Sequence, residues 1–209
     1  MLVQRHYAMG MGDVRGLVRG NGWAVLVTDG LRAAHVPCLL DPEHDPGGDD
    51  ERLVLLSHTA RADPASDGLT TGREIMLLFQ GPNGYISPAW YEAAPFVPTW
   101  NFTAAHVYGV PEILAGAEGF AVLERTVEHF EAARESPWRL EGDSLPYARR
   151  IAPGTVPFRL RASRVEAKAK LSQDKAPEIQ ERVIAALERP GPYRQPGLAA
   201  EMRRVLGKG

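Results

Sequence analysis

Apolar positions along this chain mostly alternate or cluster in short runs, and the three-and-four spacing of a helix is confined to a few stretches. Asp13 to Arg19, with Val14, Leu17 and Val18 on one side, predicts a short helix that Gly20 and Gly22 stop. Trp23 to Thr28 (WAVLVT) and Ala33 to Leu40 (AAHVPCLL) predict strands joined at Asp29-Gly30, with Leu31 and Arg32 in the turn. Pro37 removes a backbone donor from the second strand, which predicts an edge, a bulge or a ligand at that position. The acidic, Gly- and Pro-rich segment Asp41 to Glu51 predicts a solvated loop.

Leu53 to Leu56 predicts a short strand that carries Ser57 and His58 to its end, with Arg61 just beyond. Glu74 to Gln80 and Ala104 to Val110 predict two more. From Pro111 to Ala133 the period changes. Leu114, Ala117, Phe120, Leu123, Val127 and Phe130 recur at helical spacing, with Glu124, Glu128 and Glu131 on the other surface. Trp138 to Pro153 reads as irregular. Thr155 to Arg161 and Arg164 to Leu171 predict a strand pair, and Glu178 to Glu188 and Leu198 to Leu206 predict two short helices separated by Pro190, Pro192 and Pro196.

Many short strands, one strong helix and no βαβ rhythm argue for a mainly β fold, an antiparallel barrel with helices at its rim. The glycines form neither of the phosphate-cradling patterns of parallel nucleotide-binding sheets. At 209 residues the chain makes one domain, expected as a barrel over 1–175 with 176–209 as its helical C-terminal extension. Formal net charge is -2, from 24 basic and 26 acidic residues, so no electrostatic footprint for nucleic acid is visible. Arg203, Arg204 and Lys208 make the terminus only mildly basic, and no helix pair carries a basic recognition helix. Cys38, within VPCLL, reads as a small core residue and excludes a disulfide inside the chain. His44 lies among carboxylates without metal-ligand spacing, so no metal is expected. Without a signal-like apolar core or a run of roughly 18 apolar residues, a cytoplasmic protein is expected.

Aromatic and polar groups concentrate between Phe79 and Val110, where Tyr85, Ser87, Trp90, Tyr91, Thr99, Trp100 and Asn101 occupy a predicted loop between strands. Rings interleaved with hydroxyls and amides suit a flat ligand with polar edges. A long connection pinned by its own aromatic side chains has the same composition, and both readings stand at this level.

The runs FQGPNGYISPAWY and VPTWNFTAAHVYG resemble the signature of the PaiB-type FMN-binding negative transcriptional regulators. HVP at His35 to Pro37, SHTARADP from Ser57 to Pro64 and KLSQDK from Lys170 to Lys175 agree in the same order. The resemblance implies the split β-barrel of the FMN-binding and pyridoxamine-phosphate-oxidase-like proteins, FMN as cofactor, and a homodimer with flavin at its interface. It assigns Ser57, His58 and Arg61 to the phosphate, with Lys170 as a second positive charge. It assigns Gln80, Ser87, Asn101, Ser172 and Gln173 to the ring or ribityl chain, and Trp90, Tyr91 and Trp100 to the walls.

Asp63 and Asp174 stand where the family has Asn, Lys175 where it has Arg, Phe102 where it has Tyr, and Pro157 where it has Gly. The two carboxylates are expected to orient Arg61 and Lys175. No nucleophile and base are legible as a catalytic set. Three functions follow: an FMN-binding regulator acting through flavin or a partner and not by direct DNA reading, a small FMN-dependent oxidoreductase, and a cofactor-free interaction protein.

Overall fold

In chain order, the computed structural model, which describes residues 1–207, contains α1 (Met11–Gly20), β1 (Trp23–Thr28), β2 (Arg32–Leu40), β3 (Val54–Ala60), α2 (Ala65–Gly68), β4 (Ile75–Ile86) and β5 (Thr99–Gly109). There follow β6 (Pro111–Ile113), α3 (Gly116–Glu131), α4 (Ser144–Ile151), β7 (Thr155–Arg161), β8 (Arg164–Lys170), α5 (Pro177–Glu188) and α6 (Pro196–Val205). The strands are ordered β6-β7-β3-β2-β1-β4-β5-β8, and the antiparallel, mainly β class expected from the sequence is found. Lys208, counted above with the basic terminus, lies outside the described residues. No described helix is long and apolar enough to cross a membrane.

The chain divides into two compact units. A first unit takes Met1–Gly10, Gln80–Ala105 and the chain from Glu166 on, and a second takes Met11–Phe79 and His106–Val165. In the second unit β1 and β2 form the expected hairpin, Trp23 opposite Pro37 and Thr28 opposite Arg32. The β2 ladder to β1 ends at Pro37 and its ladder to β3 starts at Cys38, so the missing donor falls at the switch between partners. Gly22 is needed there: a Cβ would lie 2.8 Å from the Cys38 carbonyl oxygen, which belongs to the residue whose N–H binds the Gly22 carbonyl at 2.6 Å. Cys38 is fully buried, and burial pushes its thiol up to about 12, as suits an inert core residue.

Several boundaries differ from the sequence pattern for physical reasons. β3 runs through Ser57 and His58 to Ala60, because the whole stretch pairs with β7. β4 continues through Gly81-Pro82-Asn83-Gly84 to Ile86, its buried side shifting from the odd to the even positions between Gly81 and Gly84. β5 begins at Thr99 with Asn101, Thr103, Ala105, Val107 and Gly109 inward. The helix expected from Pro111 starts only at Gly116, whose φ is 57°, and Pro111–Ile113 is a strand against β7. Its buried stripe is Gly119, Val122 and Thr126, offset from the expected apolar positions on the helix, none of which is fully buried. The segment read as irregular contains α4.

The acidic stretch after β2 is mostly exposed but not loosely solvated. Arg15, buried on α1, is hydrogen-bonded to the Asp45 carboxylate and to the Gly48, Asp50 and Arg52 carbonyls. In the first unit, Ile86, Tyr91, Leu171, Val183, Leu187, Leu198 and Met202 form one apolar cluster that fixes α5 and α6.

Candidate functional site

The polar floor of the first unit is built by β5 and the end of β8. Strand alternation that turns Ala105 inward also turns Asn101 and Thr103 inward. Asn101 is 0% exposed, and its Nδ2 donates to Ser172 Oγ at 2.9 Å and meets Met202 Sδ at 3.6 Å. Ser172 holds φ at 66°, a conformation that costs a non-glycine residue about 1–3 kcal/mol. Surrounding bonds fix it: Gln180 Nε2 donates to the Ser172 carbonyl at 3.2 Å and to that of Lys175 at 2.8 Å, and Lys175 N–H reaches the Ser172 carbonyl at 3.0 Å.

Over this floor lies a cavity of about 500 Å³. Asn101, Lys170 and Ser172 line it below, and the strap from Ala93 to Val97 gives it an apolar side. Tyr91 lines it too, 1% exposed, its ring edge-on to Phe96 at 4.9 Å. The Tyr91 hydroxyl is buried with no hydrogen-bond partner among the described residues, and so is the Thr103 hydroxyl of the inward row. Such groups ordinarily find a partner, and of these two residues Tyr91 is the one that lines the cavity. Burial holds the Lys170 ammonium below the ordinary lysine range, with the charges of Lys168 and Lys175 acting in the same direction against Asp174. Its only hydrogen-bond contact among the described residues is the Thr99 hydroxyl.

Gln173 spends its amide on the backbone, accepting from Leu171 N–H at 2.6 Å and donating to the Ala169 carbonyl at 2.6 Å. Asp174 contacts Lys175, as expected, and burial that would raise its pKa is outweighed by the hydrogen bond and charge of that lysine. Trp100 lies on the opposite side of β5 from Asn101, 54% exposed, with Tyr85 and Tyr193. Trp90 packs edge-on to Tyr193, Ser87 caps a short turn by accepting from Ala89 N–H at 3.2 Å, and Gln80 is exposed on β4. The structure therefore brings Tyr91, Asn101, Lys170 and Ser172 together. It places Trp100 elsewhere in the same unit.

In the second unit, Ser57 is buried on β3 and its hydroxyl donates to the Pro37 carbonyl at 2.8 Å. His58 is largely buried, its Nδ1 is unpartnered among the described residues, and burial lowers its pKa. Arg61 is exposed; its Nε and Nη2 donate to the Pro153 and Thr155 carbonyls at 2.8 and 2.9 Å, which leaves Nη1 for a ligand. Asp63 does not orient Arg61. Its carboxylate accepts from Ala65 N–H at 2.8 Å, the first residue of α2, and is held there and not at the guanidinium. A second cavity, of about 650 Å³, is lined by Arg61, Phe120, Leu123 and Arg149. The apolar positions of α3 that miss the buried stripe were its signal in the sequence.

The donor set of the first-unit cavity suits a flavin: an aromatic and apolar wall, amide and hydroxyl groups for a polar edge, and a cation. The family model described as "Putative FMN-binding domain" matches residues 1–164. The Bacillus subtilis protein "Protease synthase and sporulation protein PAI 2" is 30% identical over 126 residues, covering 60% of this chain and 60% of that relative's length. Among solved structures, the flavocytochrome Anf3 from Azotobacter vinelandii superposes with a TM-score of 0.58 at 14% identity, over 80% of this chain and 72% of that one. The FAD and heme binding protein from Mycobacterium smegmatis gives 0.57 at 16% identity, over 87% and 80%. These two share the fold, the split-barrel type expected from the motifs.

Proposed function

From the premise that this chain belongs to the PaiB-type FMN-binding family and that its cofactor is FMN, we propose that it is a flavin-binding regulatory protein whose first-unit cavity receives a polar edge of the flavin ring. The observation that carries this reading is Tyr91, whose buried hydroxyl has no hydrogen-bond partner among the described residues, lining one cavity with Asn101, Lys170 and Ser172. FMN, when bound, supplies one- and two-electron redox chemistry. This chain's residues bind and orient it: Asn101 is fixed by Ser172, and Lys170 offers a part-buried positive charge. In the second unit, Arg61 Nη1 and His58 Nδ1 have no hydrogen-bond partner among the described residues, and each is a candidate contact to an anion such as phosphate. Regulation runs through flavin state or a protein partner, in a cytoplasmic homodimer, with 176–209 as an extension of a single domain.

A small FMN-dependent oxidoreductase is the second reading. It is favoured by Tyr91 and Lys170 lining one cavity, where a hydroxyl and a desolvated amine can hold or move a proton.

Titration of FMN by flavin fluorescence tests the cavity. Binding by the wild type, weakened about tenfold in Lys170→Met through loss of one charge-assisted contact, is the expected result. Equal affinity in Lys170→Met removes the cavity from the flavin site. Titration of Arg61→Ala with inorganic phosphate tests the second-unit contact by itself, and affinity equal to the wild type's removes Arg61 from it. Light scattering tests the homodimer, and a monomer with and without FMN rules it out.

A further inference from the structure

Beyond the flavin reading, we propose that the aromatic recess of the first unit binds an alkylated ammonium cation of choline-like size. The recess, about 450 Å³, is lined by the rings of Tyr85, Trp100 and Tyr193 and the amides of Asn83 and Gln195, and no charged side chain lines it. Trp100 and Tyr193 are 54% and 51% exposed, so ring surface remains open. Tyr85 stands between them, 6.4 Å from Trp100 at 78° and 5.6 Å from Tyr193 at 35°.

Those angles decide the ligand class. Two parallel rings would clasp a flat ligand between them, and no such pair exists in this recess. Rings inclined to one another turn their surfaces onto one rounded volume, and the negative faces attract a cation. An alkylated ammonium sheds its weakly held water at small cost, and no lining lysine or arginine competes for the rings. With no carboxylate in the lining either, recognition would depend on a positive charge carried on an apolar body.

The recess is built into the fold. A Cβ at Gly84 would come within 3.1 Å of Leu198 Cδ2 and 3.3 Å of Gln195 Cγ, so glycine lets β4 approach the start of α6 and sets Tyr85 against Tyr193. Trp90, packed on the apolar cluster, backs Tyr193 edge-on at 5.9 Å. Asn83 Nδ2 is spent on the Gly81 carbonyl at 3.2 Å, which leaves its amide oxygen to accept from a partly substituted ammonium. None of the lining residues is shared with the Lys170 cavity, because Trp100 and Asn101 alternate along β5.

Calorimetry on the full chain, with and without saturating FMN, tests this with choline and its neutral isostere 3,3-dimethylbutan-1-ol. Choline is expected to bind saturably, the isostere about tenfold more weakly, and Trp100→Ala and Tyr193→Leu each to weaken choline about tenfold. Tyr193 is exposed, so its variant keeps the test valid if Trp100→Ala fails to fold. Equal binding of choline and the isostere, no saturable choline binding, or unchanged affinity in both variants would each overturn the proposal. Loss of choline binding on adding FMN would also overturn it and assign the recess to the flavin, whereas absent FMN binding with choline intact would sink only the flavin reading.

Discussion

The guanidinium of Arg15, 1% exposed, donates to Asp45 Oδ1 at 2.8 Å and Oδ2 at 3.3 Å, to the Gly48 and Asp50 carbonyls at 2.8 Å each, and to that of Arg52. Asp45 accepts in addition from the Gly47 and Val54 N–H groups. Among the described residues the part-buried ammonium of Lys170 has only the Thr99 hydroxyl, and Tyr91, which lines the same cavity, has a hydroxyl without a partner. Both are cations removed from water at some cost. One cluster has spent its hydrogen-bonding capacity on holding a loop, and the other retains capacity for something not part of the chain. Saturation, more than burial or charge, separates a structural polar cluster from a binding one here.

The widest gap between the clusters should appear in stability. Arg15→Met leaves Asp45 buried without its partner and should lower the unfolding free energy by about 3–5 kcal/mol. Lys170→Met, in the absence of ligand, should change it by about 1 kcal/mol or less, because burial already disfavours the charge. Urea unfolding of the two variants compares them directly. Similar losses would mean that Lys170 is as structural as Arg15.

Titration sharpens the contrast, with opposite signs. For Asp41 and Asp45 burial alone would raise the pKa, but hydrogen bonds from Arg159 and Arg15, with backbone donors and nearby charges, hold both below the usual carboxylate range. A folded pKa below the unfolded value of about 3.9 gives stability that is present above that value and lost as pH falls through the folded one. Asp45→Asn should therefore flatten the acid limb of stability against pH. Lys170 has a lowered pKa, so its positive charge disappears as pH rises, and earlier than for an ordinary lysine near 10.4. FMN affinity should fall across that alkaline window in the wild type and stay level in Lys170→Met. A wild-type profile as level as the variant's would take Lys170 out of binding.

The sequence pattern made β1, β7 and the two tail helices legible, since each shows a short apolar run, an alternation or a helical spacing between strong breakers. It hid the start of β5, because the inward row there is polar or small while Phe102, His106 and Tyr108 take the outward row, which inverts the usual signal. Gly81-Pro82-Asn83-Gly84 follows the expected end of its strand at Gln80, yet β4 passes through it, with Gly84 close against Leu198 of α6. Arg15 was invisible for a different reason. A lone basic residue on a short helix reads as solvated until the carbonyls of a loop some thirty residues later close around it. Of the candidate site, Tyr91, Asn101, Lys170 and Ser172 were found through motifs, not through period or charge. The separation of Trp100 from Asn101 was available all along, because neighbours in a strand face opposite ways.

The smallest effect expected is also the closest test of what an unspent group means. Tyr91→Phe removes one hydroxyl and leaves the ring, its edge contact with Phe96 and its place in the apolar cluster as they are. The backbone carbonyl of Tyr91 keeps the hydrogen bond from Arg182 Nη2 at 2.6 Å, so the strap stays anchored. A buried hydroxyl without a partner costs about 1–3 kcal/mol, and its removal should leave the ligand-free protein as stable as the wild type or more stable by up to about 1 kcal/mol. With FMN present the sign should reverse, because the wild type gains a neutral hydrogen bond of about 0.5–1.5 kcal/mol that the variant cannot make. Thermal unfolding of both proteins with and without saturating FMN reads the two signs in one experiment. If Tyr91→Phe destabilises the ligand-free protein, the hydroxyl is already spent within it, and the Lys170 cavity belongs with the Arg15 cluster.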